Sequence, residues 1–270
     1  MLLTDRSGPG SPGGPVLTLT LDRPETRNAL SADLVEALTD ALATAAQDEG
    51  VRVVVLAAAG PAFSAGADLA ALRALRSASH ADNLADSARL GRLFEAILRH
   101  PTPVVARVHG HAIAGGCGLA AACDFSLAAE TATLGFSEVR IGFVPALVAT
   151  FVTRKVGETA ARDLFLRGHR IPAQEAARIG LVTRCVPDDQ LDAELDALCH
   201  ELATETSRSA VALTKALLAD LPGMTLAGAL AHAAAVNADA RATDDCRAGV
   251  DAFLNKTDPP WRAGKVGNGK

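Results

Sequence analysis

Regular patterning begins at Val16–Leu21, VLTLTL, where apolar and hydroxyl side chains alternate with the two-residue period of a half-buried strand. From Ser31 the period changes. Leu34, Val35, Leu38, Ala41 and Leu42 recur at three- and four-residue spacing, which predicts a helix capped by Ser31 and running to about Ala46. Val51–Leu56, VRVVVL, is a β-branched run of the kind buried on both faces of a sheet. Leu90, Leu93, Phe94 and Ile97 mark a second amphipathic helix over Leu84–Arg99, stopped by Pro101 and Pro103. Val104–Val108 and Phe125–Ala128 read as further strands. Strand, helix, strand, helix, strand at this spacing predicts an α/β fold with right-handed crossovers and a mainly parallel sheet.

After Pro145 the pattern is helical almost throughout. Helices are predicted over Ala146–Val156, Glu158–Arg167, Ala173–Ile179, Leu191–Ala203, Ser209–Ala219, Leu226–Arg241 and Asp244–Leu254. Their Ala-rich faces suit close helix–helix contact within a subunit or between subunits. The expected organisation is a flexible Gly-, Pro- and Ser-rich lead-in at 1–14, a core carrying the site at 15–195, and a helical region at 196–270.

Composition narrows the classes. The 270 residues fit one large domain, and 49% hydrophobic with 21% charged residues is an ordinary soluble mix. The net charge of -5 and the lack of a basic cluster argue against nucleic acid as partner. An anionic ligand stays open, because a few local Arg and Lys residues can hold phosphates against a negative average. Cys117, Cys123, Cys185, Cys199 and Cys246 form no CxxC pair and no metal-ligand spacing, so they read as reduced thiols of a cytoplasmic protein, mostly buried as small apolar residues. The N-terminal residues lack the basic and apolar regions of a signal peptide, and no uncharged apolar stretch is long enough to span a membrane.

Candidate chemistry sits in two Gly-rich segments, each following a predicted strand. They are AAAGPAFSAGADL (Ala57–Leu69) and GHAIAGGCGLAAACD (Gly110–Asp124). In an α/β sheet, ligands bind beyond the carboxyl ends of strands, where turn and helix-start N–H groups are free. Two such turns can aim two N–H groups at one oxygen, as an oxyanion hole does; equally, the glycines can serve only tight turns. Neither segment is a dinucleotide or P-loop fingerprint. Ser64 lacks a GxSxG setting. His109 and His111 have no further ligands at metal spacing. Glu138 stands in the run SEVR before the Gly142–Pro145 turn, and on the residues alone it reads either as a proton-transfer group or as a turn carboxylate paired with Arg140.

Several ordered motifs together resemble the enoyl-CoA hydratase/isomerase (crotonase) superfamily. RPETRNALSADLVEAL (Arg23–Leu38) is similar to its N-terminal signature, VRVVVLAAAGPAFSAGADL to its first oxyanion segment, and the run from Pro103 to Pro145 to its second together with the catalytic strand. AARIGLVTRCVP (Ala176–Pro187) and AFLNKTDPPW (Ala252–Trp261) also fit, so the resemblance covers roughly residues 15 to 262. It implies a spiral of ββα units with a C-terminal α-helical trimerisation region, assembling as a trimer or a dimer of trimers. It implies an acyl-CoA thioester substrate, with coenzyme A part of the substrate and no separate cofactor.

The resemblance carries roles onto single residues. The N–H groups of Ala67 and Gly115 would form the oxyanion hole, and Glu138 would be the acid and base. Arg27 would meet phosphate; Ala29, Ala65, Asp68 and Leu69 would surround adenine and pantetheine; Phe253 and Lys256 would close over the adenine end from a neighbouring subunit. His111, Gly118, Phe143 and Pro145 would line the acyl pocket, with the polar stretch Arg73–Ser87 as a further wall. The sequence departs from the two-glutamate hydratase pattern at one position: Gly118 stands where the first glutamate would be. In this it resembles the branch containing methylglutaconyl-CoA hydratase. Three functions remain open: a 2-enoyl-CoA hydratase, a Δ3,Δ2-enoyl-CoA isomerase using the same glutamate, and a non-catalytic acyl-CoA binding protein.

Overall fold

In the computed structural model, residues 1–7, 14–66, 68, 73 and 77–262 are described. Within them the chain runs β1 (Leu2–Ser7), β2 (Val16–Leu21), α1 (Ala32–Gln47), β3 (Val53–Ala58), β4 (Ala62–Ser64), α2 (His80–Leu98), β5 (Val104–Val108), β6 (His111–Ile113), α3 (Gly115–Ala122), β7 (Phe125–Ala129) and β8 (Thr133–Gly135). It continues through α4 (Ala146–Arg167), β9 (Arg170–Pro172), α5 (Ala173–Arg178), β10 (Arg184–Val186), α6 (Leu191–Thr204), α7 (Arg208–Asp220), α8 (Leu226–Ala242) and α9 (Asp244–Asn255).

The strands form two sheets. The larger has the order β1-β2-β3-β5-β7-β10, with β1 antiparallel and the other neighbours parallel. The smaller has the order β4-β6-β8-β9, parallel up to β8. In each successive pair, β3–β4, β5–β6 and β7–β8, the first strand joins the large sheet and the second the small one. The chain therefore winds as a spiral of ββα turns, and the small sheet stacks the ends of three turns side by side.

Period two explains why the large sheet is buried on both faces. Val54, Leu56 and Ala58 of β3 face one core with Leu34, Leu38 and Leu42 of α1 and Leu93, Phe94 and Ile97 of α2. Val53, Val55 and Ala57 face a second core, closed by Leu191, Leu195 and Leu198 of α6. Each such side chain contributes about 1.5–3 kcal/mol when fully buried. Ser31 caps α1 by accepting from Leu34 N, and Ser79 caps α2 in a reciprocal capping box with Asp82.

Three expectations are corrected. The lead-in is not loose over its first residues: Leu2–Ser7 pairs along its whole length with β2, and Arg6 bridges to Asp48 at 2.7 Å. Residues 8–13 lie outside the described part. The sheet is not one but two, because β4, β6 and β8 have three residues each and show no readable period. The predicted helix 84–99 starts earlier, at His80, since its first turns are polar and held by the cap rather than by an apolar face.

The helical region docks through an ion pair buried on one side: Lys215 of α7, itself buried, reaches the exposed Asp124 and donates to Thr102 O at 3.3 Å. Large apolar side chains stay exposed there, namely Leu218, Met224, Leu226, Leu230, Val250, Phe253 and Leu254. Among the described residues no helix is long and apolar enough to cross a membrane.

Candidate active site

Parallel pairing of β4 with β6 and of β6 with β8 brings their carboxyl ends together. The residues that follow are Ala65 and Gly66, Ala114 and Gly115, and Phe136 to Glu138. The two Gly-rich turns touch. A Cβ on Gly66 would lie 2.7 Å from Ile113 O, 2.9 Å from Ala114 Cβ and 3.4 Å from Gly115 N, and its φ is +87. Gly66 is thus required both by its left-handed backbone and by the close approach. Gly116 is required by crowding alone, since a Cβ there would be 2.6 Å from Ser64 Cβ.

Ala114 sits at φ 52, ψ -124, a conformation that strains a residue with a side chain by about 1–3 kcal/mol. It is held there by its N–H to Gly135 O at 2.8 Å and by Gly118 N donating to its carbonyl at 2.9 Å. This turn starts α3 at Gly115. As the first helical residue, Gly115 has an N–H with no intrahelical acceptor, at the positive end of the helix dipole. That is the geometry of an anion-stabilising donor. Its proposed companion Ala67 lies outside the described residues.

Glu138 opens a 3-10 turn, Glu138–Ile141, directly after β8. Phe136, wholly buried, anchors the turn edge-on against Phe165 at 4.9 Å. Gly142 at φ +76 and the bond from Phe143 N to Glu138 O at 3.0 Å close it. Arg140 turns away and donates to Arg167 O at 3.3 Å, so the Glu138–Arg140 pairing considered from sequence is not the arrangement adopted. Glu138 Oε2 is buried and has no hydrogen-bond partner among the described residues. Burial pushes the Glu138 carboxyl above the usual glutamate range, against its own backbone N–H, which lowers it. The neighbouring thiol of Cys117 in α3 is pushed up to about 12, chiefly by burial and further by the Glu138 charge. Glu138 and α3 therefore share one low-dielectric site. A carboxylate held nearer neutrality, beside a free N–H donor, can pass a proton to and from carbon.

Gly118 lies one turn along α3 from Gly115. A Cβ there would overlap Val148 Cγ1 of α4 and come within 3.2 Å of Phe94 Cζ of α2. The space that a second carboxylate would need is filled by apolar side chains. Phe94 is itself held edge-on to Phe151 at 5.3 Å.

The remaining candidates fall into groups. Arg27 is exposed and left-handed, at φ 53. Ala65 is exposed and donates its N–H to Arg27 O at 2.9 Å, and Ala29 is buried beneath. Asp68 is buried, with its carboxylate 3.3 Å from Arg23. Leu69 lies outside the described residues, as do positions 74–76 of the proposed pocket wall. His111 is at the opposite end of β6 from Gly115, exposed, and 3.0 Å from Thr133 Oγ1. Phe143 is half exposed and Pro145 precedes the first turn of α4. Phe253 and Lys256 are exposed on α9 and at its C-terminal cap. Among the described residues no cluster of His, Cys, Asp and Glu could hold a metal ion.

Two residues escaped sequence reading. Asn28, fully buried at φ 54, donates to Ala59 O at 2.8 Å and Ala62 O at 2.9 Å, and accepts from Arg23 N at 2.8 Å. It stitches the Arg27 loop to the first Gly-rich turn. Lys155 of α4 donates to Ala121 O at 2.9 Å and Cys123 O at 3.2 Å. Its signal was present: Val148, Val152 and Lys155 share one helical face, and a lysine on a core-facing stripe demands an acceptor.

Comparison with known proteins agrees with the fold. Residues 13–264 match the family model described as enoyl-CoA hydratase/isomerase. A Thermus thermophilus protein whose name places it with the enoyl-CoA hydratases is 45% identical over 246 residues, covering 91% of this chain and 97% of its own. The rat enoyl-CoA hydratase domain-containing protein 3 is 31% identical over 91% of this chain and 81% of its own. Among solved structures, an enoyl-CoA hydratase of Mycobacterium smegmatis superposes with a TM-score of 0.88 at 39% identity, covering 96% of this chain and 98% of that one. AtuE of Pseudomonas aeruginosa superposes with a TM-score of 0.89 at 35% identity, over 97% and 99% of the two chains.

Proposed function

The chain belongs to the enoyl-CoA hydratase/isomerase family, and from that premise we propose that it is an enoyl-CoA hydratase using one carboxylate. The thioester carbonyl accepts hydrogen bonds from the N–H groups of Gly115 and Ala67, which stabilise the enolate oxygen as charge develops. Glu138, as carboxylate, takes a proton from water while the oxygen attacks Cβ, then returns a proton to Cα. The product is the 3-hydroxyacyl thioester, and Glu138 ends as it began. The observation that supports this reading most is the buried, unpartnered Oε2 of Glu138 beside the start of α3.

Coenzyme A enters as part of the substrate, with no resident cofactor. Arg27 is assigned to phosphate, with Ala29, Ala65, Asp68 and Leu69 around adenine and pantetheine; Asp68 acts by holding Arg23. Gly118, Phe143, Pro145 and His111 are the assigned acyl-pocket positions. The chain is further proposed to be cytoplasmic and to assemble as a trimer or dimer of trimers. The exposed apolar side chains of α7 to α9 support that assembly, and they would bring Phe253 and Lys256 to a neighbour's adenine site.

One observation favours a second reading, a Δ3,Δ2-enoyl-CoA isomerase. The position of a second carboxylate is filled by Val148 and Phe94, and moving a proton between Cα and Cγ needs only one base. A panel of 2-enoyl- and 3-enoyl-CoA esters, including methylglutaconyl-CoA, separates the two by product mass: one water gained, or none. Glu138→Gln is expected to abolish turnover with ester affinity kept within about twofold. Full activity in that variant would refute the role of Glu138, and binding without turnover across the panel would make the wild-type chain an acyl-CoA binding protein.

A further inference from the structure

The helix that presents Gly115 carries one large side chain, the wholly buried Leu119. α3 reads GGCGLAAA, eight residues and about 12 Å long at 1.5 Å per residue. It has few side chains large enough to lock it along its axis. Near its start it is set by Gly116 against Ser64, and in its middle by Gly118 beneath Val148 and Phe94. Its far end is held by Ser126 Oγ, which donates to Ala120 O at 2.6 Å, and by a charge: Lys155 Nζ donates to Ala121 O at 2.9 Å and to Cys123 O at 3.2 Å. These are carbonyls of the last turn and the cap, which the helix itself leaves without donors.

The chain builds this contact deliberately. Lys155 lies on the face of α4 that carries Val148 and Val152, so it approaches α3 alongside the residue covering Gly118. Two residues later Gly157, at φ +77, breaks the helical path. The lysine thus stands just before the break. Burial pushes its ammonium below the usual lysine range, while Cys123, Asp124 and Cys117 pull it back up. A cation at a helix C-terminus is favoured by the negative end of the dipole and helps hold that end in place.

We propose that Lys155 is a positioning residue for the oxyanion hole: by clamping the C-terminal carbonyls of α3 it fixes where the Gly115 N–H points. The inference rests on the reading of that N–H as the donor to the thioester oxygen. Lys155 acts through α3 and does not touch substrate.

The test compares wild type with Lys155→Met, which keeps the stem without the charge, Lys155→Gln, which keeps donors without the charge, and Lys155→Arg, which keeps both. Two quantities are read: kcat and KM on the ester that wild type turns over, and the dissociation constants of free CoA and of acetoacetyl-CoA, whose bound enolate presents the charge the hole should stabilise. Lys155→Met is expected to lose about 10- to 100-fold in kcat with KM within about twofold, less than the loss of a whole oxyanion donor. Its preference for acetoacetyl-CoA over CoA should fall about tenfold, with CoA affinity unchanged. Arg should recover most of both, and Gln should lie between. Unchanged kcat and preference in Lys155→Met overturn the proposal, as does an equal loss of affinity for both ligands. If Lys155→Met does not fold, Lys155→Gln decides by the same two outcomes. Should wild type itself show no preference for acetoacetyl-CoA over CoA, it is the oxyanion reading of Gly115 that fails.

Discussion

A methyl group placed on Gly118 tests how the site is built. In an unconstrained helix, Gly→Ala stabilises by about 0.5–1 kcal/mol, because the alanine loses less backbone entropy. Here the new Cβ would overlap Val148 Cγ1 and sit 3.2 Å from Phe94 Cζ, where carbon atoms prefer about 3.5–4.0 Å. Val148 is 4% exposed and Phe94 3% exposed, so neither side chain can swing into solvent. Overpacking of this kind costs about 1–3 kcal/mol. The net expectation for Gly118→Ala is destabilisation of roughly 1–2 kcal/mol. Val148→Ala alone loses buried methyls, at a cost of about 2 kcal/mol. The double variant should be less unstable than the sum by at least about 1 kcal/mol, because the cavity takes up the methyl. Urea unfolding followed by circular dichroism, at fixed protein concentration, measures all three against wild type. Stabilisation of Gly118→Ala, or strict additivity in the double variant, would refute the conclusion that apolar side chains occupy the second carboxylate's space. The functional corollary is that Gly118→Glu alone should fold poorly, while Gly118→Glu with Val148→Ala should fold better.

Three further outcomes follow from named contacts. Glu138 has a raised folded-state pKa, so the folded protein holds that proton more tightly than the unfolded chain, and this stability is lost as pH rises above the ordinary value of 4.5. Glu138→Gln should therefore raise Tm at neutral pH and converge with wild type below that value; a pH-independent difference in Tm would contradict the assignment. Lys215→Met removes the cation bound most directly to Asp124, which is itself open to solvent and keeps Val104 N–H as a donor, and should destabilise by about 1–3 kcal/mol, with Asp124→Asn in the same chain restoring part of it by urea unfolding. Asn28→Ala removes three hydrogen bonds at a fully buried site, and should cost about 3 kcal/mol and weaken CoA-ester affinity through the Arg27 loop, measured by Tm and calorimetry.

Much of the architecture was legible locally. VLTLTL and VRVVVL carry enough residues for a period of two, and Leu34 to Leu42 enough for 3.6, so β2, β3 and α1 were found with boundaries shifted by a residue or two. The helix break at Gly157 was likewise anticipated, since Ala146–Val156 and Glu158–Arg167 were read as separate segments on either side of it. The ordered motifs by themselves pointed to the family. Strands of three residues escaped, because a period cannot show itself in so short a run. β1 escaped because LLTDRS carries no clear period of two, and its pairing depends on the edge that β2 offers.

For the site, the chain on its own supplied the identities: a glycine pair, a lone glutamate, and a glycine where a second glutamate was expected. Tertiary structure decided what each can do. Gly118 is closed to a larger residue by Val148, thirty positions away, and by Phe94 from another helix. Glu138 is shifted toward neutrality because the fold buries its carboxyl oxygen while the rest of its turn stays largely exposed. Lys155 becomes a clamp only once α4 lies across the end of α3. Periodicity is a property of neighbours in sequence, and one chain displays it; burial and steric exclusion are properties of neighbours in space, and only the folded chain creates them.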